Sequence, residues 1–594
     1  MNMYTALVKT ILCLLLISKG LFCSGQSSQD LIKINQLGYY TKGPKIAVLT
    51  SDYISDNDTK TRLKFFVLTG KDTAFKGQLS YIQQSTNSPI KTRIADFSPL
   101  TQNGTFIIYI PDIGSSYSFE IKKEVHRASA VAGLKGFYYT RVSMPLSEQF
   151  AGKWKRPAGH PDTQVLVHAS AATPTRPTAT VISSPGGWYD AGDYNKYIVN
   201  SGITMGTLLS AYEDFPAYFK ISKTNIPESN NAVPDILDEI LYNLRWMQTM
   251  QDPNDGGVYH KCTNANFDGM VMPGATKLPR YVVQKTTAAA LDFAAVMAQS
   301  SRILKAFEND FKGLSDSLLK SATAAWLWAV KNPAVVYDQE ENNKKFEPKI
   351  TTGAYGDKML YDEWLWAAAE LFATTGTKTY FDSVTRRLPT VTSLPSWNNV
   401  GTLAVYTLIR QKNSLPSFSH HLIPALHKRV IAFADSLIGN VSTNAFYTVM
   451  GGAKTDFIWG SSAVAANQGI ALVNAYLITK DKKYVDHALG NLDYLLGRNA
   501  TGYCFLTGLG SKRVMRPHHR PSIADGIDEP VPGLLSGGPN PGKQDKCHYE
   551  YSDPERAFSD TDCSFASNEI AINWNAPFVY LANALEALQK QAGY

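Results

Sequence analysis

The chain has 594 residues, which is too long for one small hydrophobic core and predicts at least two domains. Hydrophobic residues make up 44% of the chain and charged residues 18%, a balance that excludes general disorder. The net charge is +7, but the 58 Lys and Arg residues are dispersed, whereas a nucleic-acid-binding surface would need them clustered. We therefore expect no nucleic-acid partner.

Residues 1–25 have the pattern of an export signal, with Lys9 before the short apolar run 11–17. That run is too short to span a bilayer, and no later segment is apolar enough to do so. The bulky Phe22 directly before Cys23 argues against a lipid anchor on that cysteine. We predict an exported, monomeric protein without a transmembrane segment.

Four cysteines remain beyond the signal, and their spacing matches no CxxC metal-binding pattern. They are Cys262, Cys504, Cys547 and Cys563. An exported protein can form disulfides, but the sequence leaves the pairing open.

Residues 30–122 alternate short β-rich runs with turn residues. The runs are 45–50, 63–68, 105–110 and 116–121. This rhythm predicts a small antiparallel β-sandwich. The segment contains no cluster of acids or histidines, so we interpret it as a structural domain rather than an independent sugar-binding domain.

The stretch 186–197 (Gly-Gly-Trp-Tyr-Asp-Ala-Gly-Asp-Tyr-Asn-Lys-Tyr) places Asp190 and Asp193 between glycines and aromatic residues. The glycines favour a turn, in which both carboxylates can point into one space. Carboxylates this close change each other's pKa, which suits the activation of water. A cation-binding turn and a solvated Asp-Gly turn remain open alternatives for so short a motif.

From Ser201 almost to the C terminus the pattern is helical. After Pro234, apolar residues recur with the 3.6-residue period of an amphipathic helix. Similar patterns predict helices over 285–304, 314–330, 361–374, 402–410, 424–438, 463–478, 483–496 and 568–589. Several are apolar on more than one face, which indicates burial between layers.

Glu569 stands at the predicted start of the last helix, where the positive helix end would lower the pKa of its carboxyl. A general acid needs a raised pKa, so Phe565, Trp574 or other carboxylates would have to offset that effect. The alternative is an ordinary acid in the first turn of a helix.

Two other segments carry histidines. Residues 516–520 (Arg-Pro-His-His-Arg) offer rigidly held donors for sugar hydroxyls, since a zinc site would need more His or Cys ligands nearby. His260 lies in a glycine-rich loop, and taken alone it is interpreted as a structural histidine.

In their order along the chain, these motifs resemble glycoside hydrolase family nine, the inverting endoglucanases and their relatives, in the subgroup with an N-terminal immunoglobulin-like domain. Residues 188–193 resemble the Asp-Ala-Gly-Asp signature of that family, 506–520 its histidine signature and 558–576 its acidic signature. The resemblance implies an (α/α)6-barrel catalytic domain over 123–594 with an open cleft. It also implies an immunoglobulin-like β-sandwich over 30–122.

The resemblance implies that Asp193 is the general base that activates water and that Asp190 helps to hold that water. Glu569 would be the general acid that protonates the leaving glycosidic oxygen. Inverting hydrolases place their two carboxyl groups about 6.5–9.5 Å apart, so we predict that separation between Glu569 and Asp193.

By the same resemblance, His518 and Arg520 would bind glucose hydroxyls at the cleavage point, and Asp560 would support catalysis. Further expected contacts with the sugar chain are Trp459, Tyr189 and His260.

The resemblance also bears on metals, although the chemistry itself requires no cofactor. Some relatives hold zinc with Cys and His pairs just before the Asp-Ala-Gly-Asp loop, but here that region has His160 and no Cys, so we expect no zinc. Calcium sites are common in the family near an Asp-Glu pair of the mid-chain helix. Asp362 and Glu363 are the matching candidates. Cys504 stands where Ser, Thr or Val is usual, with little expected effect.

The favoured function is endo-acting hydrolysis of β-1,4-glucosidic bonds in cellulose or related β-glucans, with inversion. One alternative is hydrolysis of another β-glycan, such as xyloglucan or mixed-linkage glucan. Another is exo-action as a glucosidase or glucosaminidase, because closure of the cleft cannot be read from sequence. A non-catalytic glycan-binding protein is disfavoured, since it would have no chemical need for the three carboxylates.

Overall fold

The computed structural model describes residues 28–51, 63–388 and 392–594. The predicted export signal, with Cys23, lies outside these ranges. Within them, no helix combines the length and the apolar character needed to cross a bilayer.

The N-terminal part is a sandwich of two sheets that enclose their own apolar core, with Phe65, Phe97 and Phe119 fully buried in it. In spatial order, the first sheet contains Ile32–Lys33, Ile46–Ser51, Lys91–Asp96 and Gln83–Gln84. The second contains Gly38–Tyr39, Phe119–Ile121, Gly104–Ile110, Lys64–Thr69 and Asp72–Gln78, with Gly114–Ser115 at its side. The predicted β-sandwich is confirmed, although Phe119–Ile121 pairs in parallel with Gly38–Tyr39 rather than antiparallel.

The remainder is built around twelve long helices, as counted over the described residues, in two layers of six. The inner helices are Ile198–Asp214, Thr287–Leu304, Tyr361–Thr375, Gly401–Arg410, Ser461–Thr479 and Ile572–Leu588. The outer helices are Arg127–Thr140, Asp235–Thr249, Leu314–Lys331, Lys378–Arg387, Ile423–Ile438 and Lys482–Leu495. Each outer helix packs on an inner one, and the last inner helix closes the ring against 198–214 and 461–479. This is the expected (α/α)6 barrel.

Composition explains why the inner helices can be buried on all sides. Helix 287–304 is rich in alanine, and all but one of its residues are buried. Gly206 allows a still closer approach, because a Cβ atom there would lie 2.4 Å from the Trp366 ring. Small residues thus let six helices pack side by side at native density.

A five-stranded sheet that was not predicted from the sequence lies outside the barrel helices. In spatial order its strands are Val181–Ile182, Val165–Val167, Arg280–Val282, Lys261–Asn264 and Lys196–Tyr197. The last of these strands follows directly after Asp193, so the sheet anchors the aspartate loop to the barrel.

Hydrogen bonds join the sandwich to the barrel. The Asn35 amide donates to Asp493 over 2.7 Å, and the Tyr40 hydroxyl donates to Glu586 over 2.7 Å. All four groups are buried, so the two parts share an interface with little freedom to move.

The cysteine pairing left open by the sequence is resolved. Cys547 and Cys563 form a disulfide with their Cα atoms 6.0 Å apart. Cys262 and Cys504 are buried free thiols.

Candidate active site

A cavity of about 1080 Å³ opens at the N-terminal ends of the inner helices. The loops that directly precede five of these helices line the cavity. The charged and aromatic lining residues include Asp190, Asp193, Tyr197, Phe267, Tyr355, Trp397, Trp459, His518, Arg520, Phe565, Glu569 and Trp574. Carboxylates and aromatic rings are therefore combined in one concave site.

Three sequence motifs meet at Gly192. A Cβ atom on this residue would lie 2.2 Å from the His518 carbonyl oxygen, so the contact requires glycine. The Arg520 guanidinium donates to the Gly192 carbonyl through Nη1 over 2.7 Å. The backbone N–H of Ile572 donates to the carbonyl of Asp190 over 2.9 Å. Backbone contacts thus fix the aspartate loop against the histidine and acidic segments.

Asp190 is buried and held from both sides. Its two carboxylate oxygens accept hydrogen bonds from the Asn200 amide over 2.7 Å and from the Tyr355 hydroxyl over 2.8 Å. Burial, with the charge of Asp193 second, raises the pKa of Asp190 to about 8. The two hydrogen-bond donors oppose that shift in the pKa of Asp190.

Asp193 is also buried but still lines the cavity. One oxygen, Oδ2, accepts hydrogen bonds from the Asn195 amide over 2.5 Å and from the Tyr197 hydroxyl over 3.0 Å. Two donors thus fix one oxygen of this carboxylate.

Glu569 does not stand in the last helix, contrary to the prediction, because that helix begins at Ile572. It lies in extended backbone that pairs with His518. Burial, reinforced by Asp193 and Asp190, raises the pKa of Glu569 well above its ordinary range. The Gly192 N–H donates to its Oε1 over 3.3 Å and opposes that shift.

From outside the cavity, Asp560 fixes the backbone of the histidine segment, residues 515–520. The Asp560 carboxylate accepts hydrogen bonds from the backbone N–H groups of Met515 and Arg516 over 2.9 and 2.8 Å. His518 and Arg520 line the cavity, whereas Asp560 is outside its lining. The imidazole of His518 bonds the Asp562 carbonyl through Nδ1 over 2.6 Å, which leaves Nε2 for a ligand.

Of the three expected sugar contacts, only Trp459 is at the cavity, with its ring 41% exposed beside Phe565. Tyr189 is 2% exposed, and its hydroxyl bonds His160 over 2.8 Å. His260 is 1% exposed and bonds the carbonyl of Ala354 over 2.8 Å. Neither residue lines the cavity, because in both cases the local backbone directs the side chain into the core.

Asp362 and Glu363 belong to a larger acidic cluster with Asp292 and Asp357. Both carboxylate oxygens of Asp292 and of Glu363 are buried without a hydrogen-bond partner. Burial raises the pKa of all four groups, and acidic neighbours raise those of Asp292, Asp357 and Glu363 further. Over the described ranges, no three such side chains converge in a metal-binding arrangement. The donor chemistry, oxygen ligands with unpaired buried atoms, nevertheless fits a hard cation such as calcium.

Several residues that hold the carboxylates were not predicted from the sequence. Tyr197 and Asn195 stand within the aspartate stretch, where their polar groups could have signalled a role. Tyr355 had no signal, because it lies 165 residues from its partner Asp190. Phe267 also lines the cavity, and its ring centroid lies 5.7 Å from the guanidinium of Arg520.

The arrangement can perform acid–base chemistry on a bound sugar. Glu569, whose pKa is raised, and Asp193, a carboxylate with two donors, line one cavity that has aromatic walls. Such a pair separates the roles of acid and base through their different surroundings.

Comparison with known proteins identifies the family. Residues 129–582 match the model "Glycosyl hydrolase family 9", and residues 27–115 match "Cellulase N-terminal ig-like domain". The chain is 46% identical over 563 residues to a xyloglucan-specific endo-β-1,4-glucanase of Bacteroides ovatus, covering 94% of each protein. It is 30% identical over 559 residues to Endoglucanase D of Acetivibrio thermocellus, covering 92% of this chain and 82% of that protein.

Solved structures agree with these matches. A Bacteroides ovatus GH9 structure superposes with a TM-score of 0.89 at 44% identity, covering 94% of this chain and 99% of the other. A metagenome-derived family 9 endoglucanase gives a TM-score of 0.85 at 30% identity, with the same coverage. The chain therefore belongs to glycosyl hydrolase family 9 and is a glycoside hydrolase with an immunoglobulin-like N-terminal domain.

Proposed function

We propose that this hydrolase cleaves β-1,4-glucosidic bonds inside β-glucan chains and inverts the anomeric configuration. The observation that carries the proposal is the pairing of Glu569 with Asp193 at one cavity, each in a different electrostatic environment. Glu569 gives its proton to the leaving oxygen, and Asp193 takes a proton from the attacking water. Asp190 holds that water, while His518 and Arg520 bind hydroxyls of the sugar at the cleavage point.

We further propose xyloglucan as the preferred substrate, with unbranched cellulose as the second candidate. The relative from Bacteroides ovatus carries "xyloglucan-specific" in its name and matches this chain over nearly its whole length. The cavity also includes an apolar wall of Phe433, Leu437 and Ile458. Such a wall offers a surface beside the glucan backbone against which xylosyl branches can pack.

The purified protein should be tested on xyloglucan, carboxymethyl cellulose, mixed-linkage glucan and aryl β-glucosides. We expect the fastest cleavage on xyloglucan, with oligosaccharide products that first appear as α-anomers in a proton NMR time course. Release of single sugars from chain ends would favour exo-action instead. Binding of xyloglucan without any products would favour the glycan-binding alternative.

We propose that the protein is exported and acts as a monomer. The disulfide between Cys547 and Cys563 supports export, because such bonds persist in oxidising compartments. A long soluble glucan is also a substrate that is met outside the cell.

We also propose that a divalent cation such as calcium neutralises the cluster of Asp292, Asp357, Asp362 and Glu363. Buried carboxylates that repel one another and lack partners must be neutralised by protons or by a cation. The cation would be structural, because none of the four residues lines the catalytic cavity.

Removal of calcium with EDTA is expected to lower the melting temperature by about 2–4 °C. Because the pKa values of the four carboxyls are raised, the carboxyls are protonated at low pH. The folded protein then loses stability as the pH rises through these pKa values. The effect of calcium should therefore be larger at pH 8 than at pH 5, as measured by differential scanning fluorimetry. Glu363→Gln should abolish the response, whereas Glu341→Gln, on the surface, should retain it. An equal melting temperature with and without calcium at both pH values would contradict the proposal.

A further inference from the structure

The side chain of Asn195 is fully buried directly behind the proposed base. Its amide Nδ2 donates to Oδ2 of Asp193 over 2.5 Å. Its Oδ1 accepts from the backbone N–H of Asn264 over 2.9 Å, from the Thr263 hydroxyl over 3.0 Å and from Nη1 of Arg280 over 3.3 Å. Both the nitrogen and the oxygen of this amide therefore have protein partners.

These contacts fix which way the amide points. A backbone N–H and a guanidinium can only donate, so they must face the oxygen of the amide. In a flipped amide, the NH₂ group would face the Asn264 N–H and the Arg280 guanidinium, which are also donors. The amide oxygen would then face the Asp193 carboxylate, which is also an acceptor. The NH₂ group is therefore held toward Asp193.

Arg280 is itself fixed in the five-stranded sheet. Its Nε and Nη2 bond Asp162 over 3.1 and 3.4 Å, and its Nη1 also donates to the side chain of Asn264 over 3.0 Å. Lys196 completes this buried ion-pair group at 2.7 Å from Asp162. The sheet thus supplies a rigid support for the Asn195 amide.

The donors to Asp193 converge on one of its oxygens. Asn195 and Tyr197 both bind Oδ2, so Oδ1 is the oxygen left for a water molecule in the cavity. Other titratable groups that act on Asp193 come from three directions. They are Asp190 and Tyr197 on its own segment, Lys261 on the neighbouring strand, and His518 and Glu569 on the C-terminal segments.

We propose that Asn195 is a positioning residue that, clamped by Arg280 and the strand 261–264, holds the Asp193 carboxylate by Oδ2 and so selects Oδ1 as the proton acceptor. The proposal rests on the proposed function, since it assigns a role within the same site. Asn195 acts through Asp193 and does not itself contact the substrate.

Asn195→Asp is the sharpest test, because it retains the acceptor at Oδ1 and replaces the donor with a second acid. Two facing carboxyls cannot both be charged at low cost, so the acidic limb of the kcat profile should move up by about one pH unit or more. At pH values below both acidic limbs, kcat should be lower than that of the wild type by about tenfold or more, while KM stays within about threefold. The measurement uses the β-glucan that the wild type cleaves fastest.

Asn440→Asp is the matched control. It makes the same change at an exposed position outside the cavity lining and leaves the bond from Asn195 to Asp193 in place. The acidic limb of the kcat profile of this control should coincide with that of the wild type. An unshifted limb in Asn195→Asp, or an equal shift in the control, would overturn the proposal.

Crystal structures of Asn195→Ala and the wild type provide a readout that needs no turnover. We expect the Asp193 carboxylate to rotate away from its wild-type orientation in the variant. An unchanged carboxylate would overturn the positioning role even if the wild type cleaved no glucan. Absence of cleavage by the wild type, by contrast, would count against the proposed function alone.

Discussion

Glu569→Gln is expected to lower kcat on β-glucan by about 10³-fold, equivalent to about 4 kcal/mol of transition-state stabilisation. The amide has nearly the same shape as the acid but cannot protonate the leaving oxygen. Binding should be retained, so KM or the affinity measured by calorimetry should change little. Since burial and the neighbouring aspartates raise the pKa of Glu569, the wild type should stay active until the pH rises through that raised value. The variant should lack this alkaline limb.

Two comparisons isolate the role of Glu569 as an acid. Glu550→Gln makes the same change at an exposed position near the C terminus and should behave as wild type. Aryl β-glycosides with activated leaving groups need less protonation, so Glu569→Gln should lose far less activity on them than on polysaccharide. Full-rate cleavage of soluble β-glucan by Glu569→Gln would exclude Glu569 as the general acid.

Asp193→Ala is expected to lower kcat by about 10³-fold, because water in the cavity would lose its proton acceptor. The shorter side chain also leaves space where a small anion can replace water as nucleophile. Sodium azide should therefore restore part of the activity and give a glycosyl azide of inverted configuration. Product NMR identifies the anomer directly.

Glu569→Gln serves as the control for azide rescue. Azide supplies a nucleophile but no proton for the leaving group, so this variant should not recover on polysaccharide. Recovery of Glu569→Gln with retained configuration would indicate the closer carboxyl spacing of a retaining enzyme, about 5 Å. That result would contradict both assignments.

Sequence periodicity located most helices of the barrel to within a few residues, because each buries a continuous face over ten or more positions, but it predicted no helix over Lys378–Arg387. The helices predicted over 314–330 and 361–374, for example, are observed at Leu314–Lys331 and Tyr361–Thr375. The five-stranded sheet escaped prediction, since its strands are two to four residues long and are spread between 165 and 282. Strands this short show no alternation that could be recognised, and only pairing with distant segments stabilises them.

Among the site residues, short motifs located the carboxylates, but proximity in sequence was a poor guide to sugar contacts. Tyr189 precedes Asp190 directly, yet consecutive residues of an extended backbone point to opposite sides. Asp190 therefore reaches the cavity while Tyr189 enters the core against His160. Tyr355 is the opposite case, because it is distant from Asp190 in sequence but contacts it in the structure. Only the three-dimensional structure shows this contact.

Residues 572–588 close the helical ring, and they are among the last residues of the chain to be synthesised. The loop with Asp190 and Asp193 leaves the ribosome early, yet Glu569 and the Gly192 N–H that binds it are 377 residues apart. The final helix also packs against helices 198–214 and 461–479. If Glu569 is the acid, as we propose, we expect no hydrolysis by a nascent fragment that ends before this residue.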